Sequence, residues 1–583
     1  MISLISKYRI PIIGAILVGV IMIVPHIVFI YNTGESYRDI YQLSTDSEDV
    51  YLARMNEIID GHPLLGAVPY AEYKDRLPMM FPTIYDFIVV VVSFLFKISL
   101  PTALLAIKTI FPALLFFLVY QLVLTMCTTT DASDSRILTA FAGASAVVMA
   151  YDLTNWGSIT HLISNTTFLL WSRPVNPITG ALLLIGLVLI LWRIRNNQQI
   201  RTWWVFTGGV LLALMISSYF FSWGFALAFM ASWAFLQFIT GHRRSAYTIV
   251  FITLVGLVLA SPYLYLTRLS STHPDFVFAA AKQGLFHTHA PVGSTIIIII
   301  GIFLTMSVII RRMSLHEDWW RYSVALTVAG IAVLNQQVVT GITIWPFHFI
   351  QYIKPFSAII IIVIFYHVIR PRLPRLFPYL MIFIISVSFM FGIAVQTTAY
   401  RNSFAFYSER QRYGDLFQWL DANTLQDCTI LSQDDEDLTF TYWIPAFTHC
   451  NSAVNRNSHY IVPPDRVYHD FLVILRMRGV TVGSIHTYLK EHHDWAMGSF
   501  YGHYTDYPIA DAFHQDQVRE NILDRVEKEY SDFLKRDFLT ELKKYQIDYV
   551  IADGALRPDL IRALHLDSPI ATPGGVAVYQ ISY

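Results

Sequence analysis

Charge is scarce in this chain. Asp, Glu, Lys and Arg make up 14% of its 583 residues, against ~25% in a soluble globular domain. Cysteine is scarcer still: three residues exclude a disulfide-stapled scaffold and a multi-cysteine metal cluster. Net charge is nearly absent, at −1 from 41 basic and 42 acidic residues. No polyanion-binding surface follows from that balance, and no nucleic-acid partner is expected. GxGxxG and Walker A patterns are missing, so no nucleotide loop is expected. Internal repeats and low-complexity tracts are missing too.

What is present is apolar: 55% hydrophobic residues, 15% aromatic, and a mean hydropathy of +0.47. A soluble fold of this length cannot hide that much apolar surface, so the chain belongs to the membrane class. The run Ile10 to Ile30 follows Lys7 and Arg9. It is too long for a signal-peptide core and lacks a small-residue cleavage site, so it reads as a retained helix. Residues 32–83 are polar. Apolar segments recur near 84–99, 101–126, 136–151, 178–195, 202–219, 220–240, 245–267, 293–311, 319–340, 349–369 and 376–397, each about the length that crosses ~30 Å of hydrocarbon.

Basic loops orient these segments. Arg193, Arg195 and Arg201; Arg243 and Arg244; Arg311, Arg312 and Arg321; and Arg370, Arg372 and Arg375 form four clusters predicted to be cytoplasmic, as is the N-terminus. The parity then requires one more crossing between 152 and 177. Leu153 to Trp171 is the available stretch, and an irregular crossing shielded by protein is predicted there. The predicted fold is a polytopic α-helical membrane protein with about 13 transmembrane helices and a C-terminal extracytoplasmic α/β domain. Its parts are a first helix (1–31), an outer loop (32–83), a helical bundle (84–397) and the α/β domain (398–583). In that domain Cys428 to Ser432, Tyr549 to Gly554 and Val576 to Ile581 read as strands, and Glu409 to Leu420 and Arg519 to Tyr545 as helical. Cys428 and Cys450 lie in it either as a disulfide or as two buried thiols.

The first outer loop carries the most informative segment. Asp46, Glu48 and Asp49 precede a helical run, Val50 to Ile59, and Arg54 follows Asp49 by about one turn. Two readings stay open. The acids cap an interfacial helix, or they take a proton from a hydroxyl or hold a divalent cation. Arg54 pairs with Asp49 or faces a phosphate.

Asp49-Val-Tyr-Leu-Ala-Arg resembles the Asp-x-Tyr-x-x-x-Arg type of motif in the first loop of oligosaccharyltransferase catalytic subunits, with the arginine one place earlier. One helix, a long acidic outer loop, about a dozen spans and an outer soluble domain together resemble the GT-C class of membrane glycosyltransferases. Protein mannosyltransferases and lipid A aminoarabinose transferases of this class also carry a first-loop acid. The resemblance implies a donor sugar on a polyprenyl phosphate or diphosphate. It also implies a first-loop acid that binds metal (Mg or Mn, through Asp49 and Glu48) or activates the acceptor. No WWD-type acceptor motif occurs, and His493-Asp494-Trp495 is not one. That argues against a true protein-glycosylating oligosaccharyltransferase.

Further polar residues are expected at the outer face. Asp131 and Asp134 lie in the loop Thr128 to Ser135, as a second acid or a solvated turn. Arg173 is a lone cation against the positive-inside trend; it snorkels or binds phosphate. Asn335, Gln336, His348, Gln351 and Lys354 join two helices, and His348 and Lys354 suit a lipid-phosphate pocket within reach of Lys282, His287 and His289. Helix-to-helix hydrogen bonds account for the amides equally well.

The resulting expectation is a multi-pass enzyme of the cytoplasmic membrane, with its N-terminus inside and its C-terminal domain outside. It would pass a sugar from a polyprenyl-phosphate donor to a hydroxyl of a glycan, lipid or protein acceptor, with inversion. Asp49, helped by Glu48 or Asp46, is the predicted base. Arg54, Arg173, His348, Gln351 and Lys354 are the predicted substrate-binding set. A flippase of lipid-linked glycans would need mid-bilayer charge, for which Lys108 is the candidate. A non-catalytic surface receptor would leave the scattered polar clusters without a purpose.

Overall fold

The computed structural model describes residues 2–583 except 44–47, 67, 69, 77, 78, 80, 81, 128–132, 155, 196–201, 283, 284, 286, 287, 312–316, 343, 434–438, 455–459 and 501–514. The chain begins with α1 (Ile2–Thr33), α2 (Glu48–Ile59), α3 (Ile84–Phe96), α4 (Leu100–Met126) and α5 (Ser133–Met149). After an irregular stretch come α6 (Ile178–Ile194), α7 (Thr202–Ile216), α8 (Phe220–Ile239), α9 (Arg243–Leu259) and α10 (Ser261–Ser271). The bundle closes with α11 (Thr295–Arg311), α12 (Asp318–Leu334), α13 (Pro346–Ile364) and α14 (Phe377–Glu409). Five described helical segments are long and apolar enough to cross a membrane: Arg9–Ser36, Leu100–Met126, Phe220–Ile239, Pro346–Ile369 and Phe377–Asn423. α9 and α10 make a sixth if the 61° bend between them falls within one span. The protein is thus a mostly helical, multi-pass membrane protein.

α1 and α4 run antiparallel. A Cβ on Gly14 would meet Phe116, and one on Gly19 would meet Thr109. The Leu100 end of α4 therefore shares a side with the Thr33 end of α1. This is also the side of the C-terminal unit: Leu100, Leu104 and Ile107 pack in one core with Leu52 of α2 and with Phe417 and Ile430 of that unit. We call it the domain side.

This geometry corrects the expected topology twice. Segment 84–99 does not cross. α3 has Asp86 in its first turn, paired with Arg54 of α2, and it ends three residues before α4 departs from the same side. Its 13 residues reach only ~20 Å at ~1.5 Å per residue, short of a bilayer. Lys97, left-handed at φ 52°, ends it, and the Ser99 hydroxyl accepts from the Thr102 N–H to start α4. Nor does 153–171 cross. It is made of short turns whose two ends meet: the Trp171 indole donates to Val147 O near the end of α5 at 2.8 Å, and its ring stands edge-on to Tyr151 at 5.5 Å. Between these ends it runs outward along α14, where the Asn402 amide donates to Ile163 O and Asn165 O. His161, Ile163 and Thr166 on this excursion are exposed rather than shielded. The two corrections leave the parity of the expected crossings unchanged. Asp134, expected in an outer-face loop as a second acid or a solvated turn, instead lies in the first turn of α5 at the opposite end of the bundle. There Arg136 donates to Leu124 O, and Met126 O meets His367 near the Arg370 cluster. Asp131 lies outside the described residues.

Beyond α14 the chain forms a four-stranded sheet, β1 (Thr429–Gln433), β2 (Asn451–Ser452), β3 (Tyr549–Asp553) and β4 (Val576–Gln580). The order is β2-β1-β3-β4; β1 pairs parallel with β2 and β3, and β4 closes antiparallel to β3. α14 runs to Glu409, past the expected boundary at 397, because its apolar spacing does not break there. Cys428 and Cys450, one residue ahead of β1 and β2, form a disulfide.

The first loop is bound to this sheet unit along its length. The Arg466 guanidinium meets Glu72 at 2.6 Å, the Tyr70 hydroxyl donates to Asp470 at 2.8 Å, and the Asn56 amide donates to Ala446 O. Lys74 bridges Glu57, at 3.0 Å, and Asp427. His62 sits between Asp75 at 2.7 Å and Asp427 at 3.2 Å. The α2 helix is thereby held between the bundle and the sheet unit, which fixes where its acids point.

Candidate functional site

The acids of α2 face inward. Glu48 is fully buried, and its carboxylate takes the Lys108 ammonium at 2.9 Å; Lys108 is fully buried too, reaching from the third turn of α4. Asp49 is 6% exposed, and its Oδ1 accepts the Val50 N–H at 2.8 Å. Asp46 lies outside the described residues. Arg54, one and a half turns on, is 7% exposed. It donates to Asp86 at 2.5 Å and to Pro82 O at 2.6 Å, so its partner is the α3 acid and not Asp49.

Tyr51, on the same helix, links this group to the excursion. The Arg173 guanidinium lies 5.9 Å from the Tyr51 ring centre and the Arg54 guanidinium 5.3 Å from it. A cation over a ring face is attracted by the ring's negative face. The cis Asn176-Pro177 bond lies between Arg173 and α6.

The third group sits at the head of α13. His348, Gln351 and Lys354 recur at three-residue spacing, so they share one helix face. The Tyr219 hydroxyl, from just before α8, lies 2.7 Å from His348 Nδ1 and 3.5 Å from Gln351 Oε1. Lys354 stands 4.9 Å from the centre of the Tyr151 ring and interacts electrostatically with Asp152. Tyr219 is within electrostatic reach of Tyr51, Arg173 and Tyr151. The three groups therefore converge, with the acids on α2, Arg173 on the excursion, and His348, Gln351 and Lys354 on α13.

Other expected polar residues act as staples. The Asn335 Oδ1 accepts the Val292 N–H, the Gln337 amide donates to Ala290 O, and the Gln336 amide donates to Ile342 O. His289 bonds Val338 O. They fasten the loop before α11 to the turn before α13. Lys282 is buried earlier in that loop, and His287 lies outside the described residues.

Sequence reasoning missed Tyr51, Tyr219, Asp86 and Tyr460. Asp86 had a signal, an acid at the head of an apolar run. Tyr460 had none. It is 5% exposed, comes from the sheet unit, and sits within electrostatic reach of Arg54, Glu57, Asp86 and Asp49. Burial pushes its phenol up from the ordinary tyrosine range. Burial likewise raises the Glu57 carboxyl to about 7, against the pull of Lys74.

The fit of a divalent cation is uneven. Glu48 already has its charge met by Lys108, and a second cation beside a fixed ammonium would be repelled. Of the two acids expected to hold the ion, Asp49 and Glu48, the second is thus committed to Lys108. Cys428, His449 and Cys450 lie together, but the disulfide joins both sulfurs and leaves no thiolates to ligate.

No family model matches this chain, and no curated protein does. Several solved structures are similar to it, among them the following three. The archaeal oligosaccharyltransferase AglB from Archaeoglobus fulgidus, in complex with an inhibitory peptide and a dolichol-phosphate, is 12% identical, covering 94% of this chain and 70% of that one, at a TM-score of 0.47. The Archaeoglobus fulgidus oligosaccharyltransferase tethered to an acceptor peptide with the NVT sequon is 13% identical over the same shares, at 0.48. ArnT from Cupriavidus metallidurans, bound to undecaprenyl phosphate, is 11% identical, covering 95% of this chain and 97% of that one, at 0.45.

Proposed function

We propose that this chain is a membrane glycosyltransferase of the GT-C type. It moves a sugar from a polyprenyl-phosphate-linked donor to an acceptor hydroxyl, with inversion. The observation that supports this reading is the convergence of a buried acid pair with a row of phosphate-binding types, Arg173, His348 and Lys354, at one end of a membrane bundle. On this reading the domain side is extracytoplasmic, the membrane is the cytoplasmic membrane, and the donor enters from the bilayer.

Asp49 accepts the proton of the acceptor hydroxyl as its oxygen attacks the anomeric carbon. The bond from that carbon to the phosphate oxygen breaks, and the electron pair leaves with the phosphate. Arg173, His348 and Lys354 meet the charge that grows on the leaving group. Attack opposite the leaving group inverts the centre. Glu48 does not share the base role, because its charge is held by Lys108; the pair sets the first turn of α2 and with it the aim of Asp49. Arg54 supports that aim through Asp86. Gln351 and Tyr219 orient His348. A divalent cation, if bound, would be held by Asp49 and would supply further charge for the phosphate. The pairing of Lys108 with Glu48 also removes the unpaired mid-bilayer charge that a flippase would use.

Asp49→Asn tests the reading, since the amide keeps an acceptor for the Val50 N–H. Transfer from a panel of polyprenyl-phosphate hexoses is expected to fall by ~10²–10⁴-fold, the worth of a general base, with unchanged thermal unfolding. Wild-type transfer in the variant would overturn it.

A further inference from the structure

The excursion between α5 and α6 encloses a pocket of about 410 Å³ that the transfer chemistry does not use. This is within the ~300–1,000 Å³ range of small-ligand sites. Asp152, Ser158, His161, Asn165, Thr167 and Phe168 are among its lining residues, and none of the lining residues is Lys or Arg. The walls offer hydroxyls, an amide, an imidazole and one carboxylate, with Phe168 and Val395 as the apolar residues. Without a lining cation, the pocket does not suit a phosphate or a sugar acid. Asp152 has its charge faced by Lys354 across Tyr151, so it does not call for a cationic ligand. It remains able to accept hydrogen bonds. Several uncharged polar groups around a small apolar patch match an uncharged pyranose, whose hydroxyls need hydrogen-bond partners.

The pocket's position adds to the chemistry. Its first residue, Asp152, adjoins Tyr151, which carries Lys354 on its face and Trp171 at its edge. Two residues past Trp171 is Arg173, over Tyr51 of the acid-bearing helix. One short segment thus presents a polar pocket at one end and a phosphate-binding cation at the other.

We propose that this pocket binds an uncharged hexose ring of the acceptor, so that the acceptor is a glycan or glycolipid. This assignment rests on the glycosyltransferase reading only for the source of the sugar. The same ring chemistry could also belong to the donor sugar.

The test uses the full chain in detergent, with saturation-transfer NMR and calorimetry against maltose, cellobiose and other neutral hexose disaccharides, and separately against undecaprenyl phosphate and polyprenyl-phosphate hexoses. At least one disaccharide is expected to bind. Thr166→Trp, which fills the exposed rim without touching charge, and Asp152→Asn should each weaken it by about tenfold or more, the size of one or two lost hydrogen bonds. Undecaprenyl phosphate affinity should stay within about twofold in Thr166→Trp, because Thr166 is not among the phosphate-binding set; Asp152→Asn, which removes the charge facing Lys354, is read on the disaccharides alone. Two variants of different kinds, each checked by thermal unfolding, separate a lost site from a lost fold. No disaccharide binding, or binding that neither variant alters, would overturn the proposal. Loss confined to polyprenyl-phosphate hexoses would overturn the acceptor assignment in favour of the donor sugar. Disaccharide binding in a chain that transfers no sugar would sink the enzyme reading and leave the site standing.

Discussion

Lys108 Nζ lies 2.9 Å from Glu48 Oε1, and neither side chain reaches solvent. One residue comes from within an apolar helix and the other from the loop above it. The pair therefore sets the height of α2 against the bundle. Removing one partner strands a buried charge, which costs about 3–5 kcal/mol, whereas replacing both by apolar residues is often neutral. Lys108→Met alone should lower the unfolding temperature in detergent markedly. The double variant Lys108→Met with Glu48→Leu should recover most of the loss. If the single variant unfolds like wild type, the two groups are not coupled.

Tyr219 holds His348 through its hydroxyl at 2.7 Å. Tyr219→Phe keeps the ring packing and removes that bond, worth about 0.5–1.5 kcal/mol. Transfer should drop by up to about tenfold with little change in stability. A variant with an unchanged rate would place this bond outside the reaction.

Docking of the first loop on the sheet unit should weaken as the solution turns alkaline. Burial raises the Glu57 carboxyl from 4.5 to about 7, so the fold holds this proton more tightly than the unfolded chain does. That contribution is complete below about 4.5 and is lost as pH climbs to about 7. Burial opposes charge on His62, but the hydrogen bonds its ring donates to Asp75 and Asp427 outweigh it and hold its pKa above 6.5. Its contribution is complete below 6.5 and fades as pH rises through the folded value. Asp427 is held below the usual carboxylate range despite burial, by Lys74 and His62, and it matters only in acid. Unfolding temperature should therefore fall between about pH 5.5 and 8. Glu57→Gln with His62→Asn should flatten that slope, and an unaltered slope would remove these groups as its cause.

The Cys428–Cys450 bridge spans 22 residues of chain. A closed loop of that size stabilises by about 3 kcal/mol through the unfolded chain. Replacing both cysteines by serine should destabilise the sheet unit to chemical denaturant by about that amount and leave the bundle spans in place. Equal midpoints for the two proteins would show that the bridge does not form.

The sequence disclosed much of this, and the gaps have physical causes. Hydropathy located the helices because each buries an apolar stripe, and the strands at 429–433, 549–553 and 576–580 stood out as apolar runs between turn residues. Hydropathy could not separate α3 from a span: a helix lying in one leaflet has the same composition as one that crosses, and only the contacts of α4 with α1 and with the sheet unit reveal which way α4 runs. The charge count then required a crossing that does not exist. Glu48, Asp49 and Arg173 were legible because polar residues beside apolar runs are costly unless used. Their partners were not, since Asp86, Tyr219 and Tyr460 reach the site from positions 32 to 411 residues away from Arg54, His348 and Asp49.

α3 has one more effect. Phe94, Leu95 and Phe96 at its end are among the most exposed large side chains in the chain, and the helix reaches only part of the way through a bilayer. A half-depth apolar element occupies area in one leaflet and none in the other. The leaflet on the domain side must therefore spread around it, and the protein carries a built-in preference for membrane curved away from that side. Vesicle size, and not lipid headgroup alone, thus belongs among the variables that set how this protein inserts and clusters.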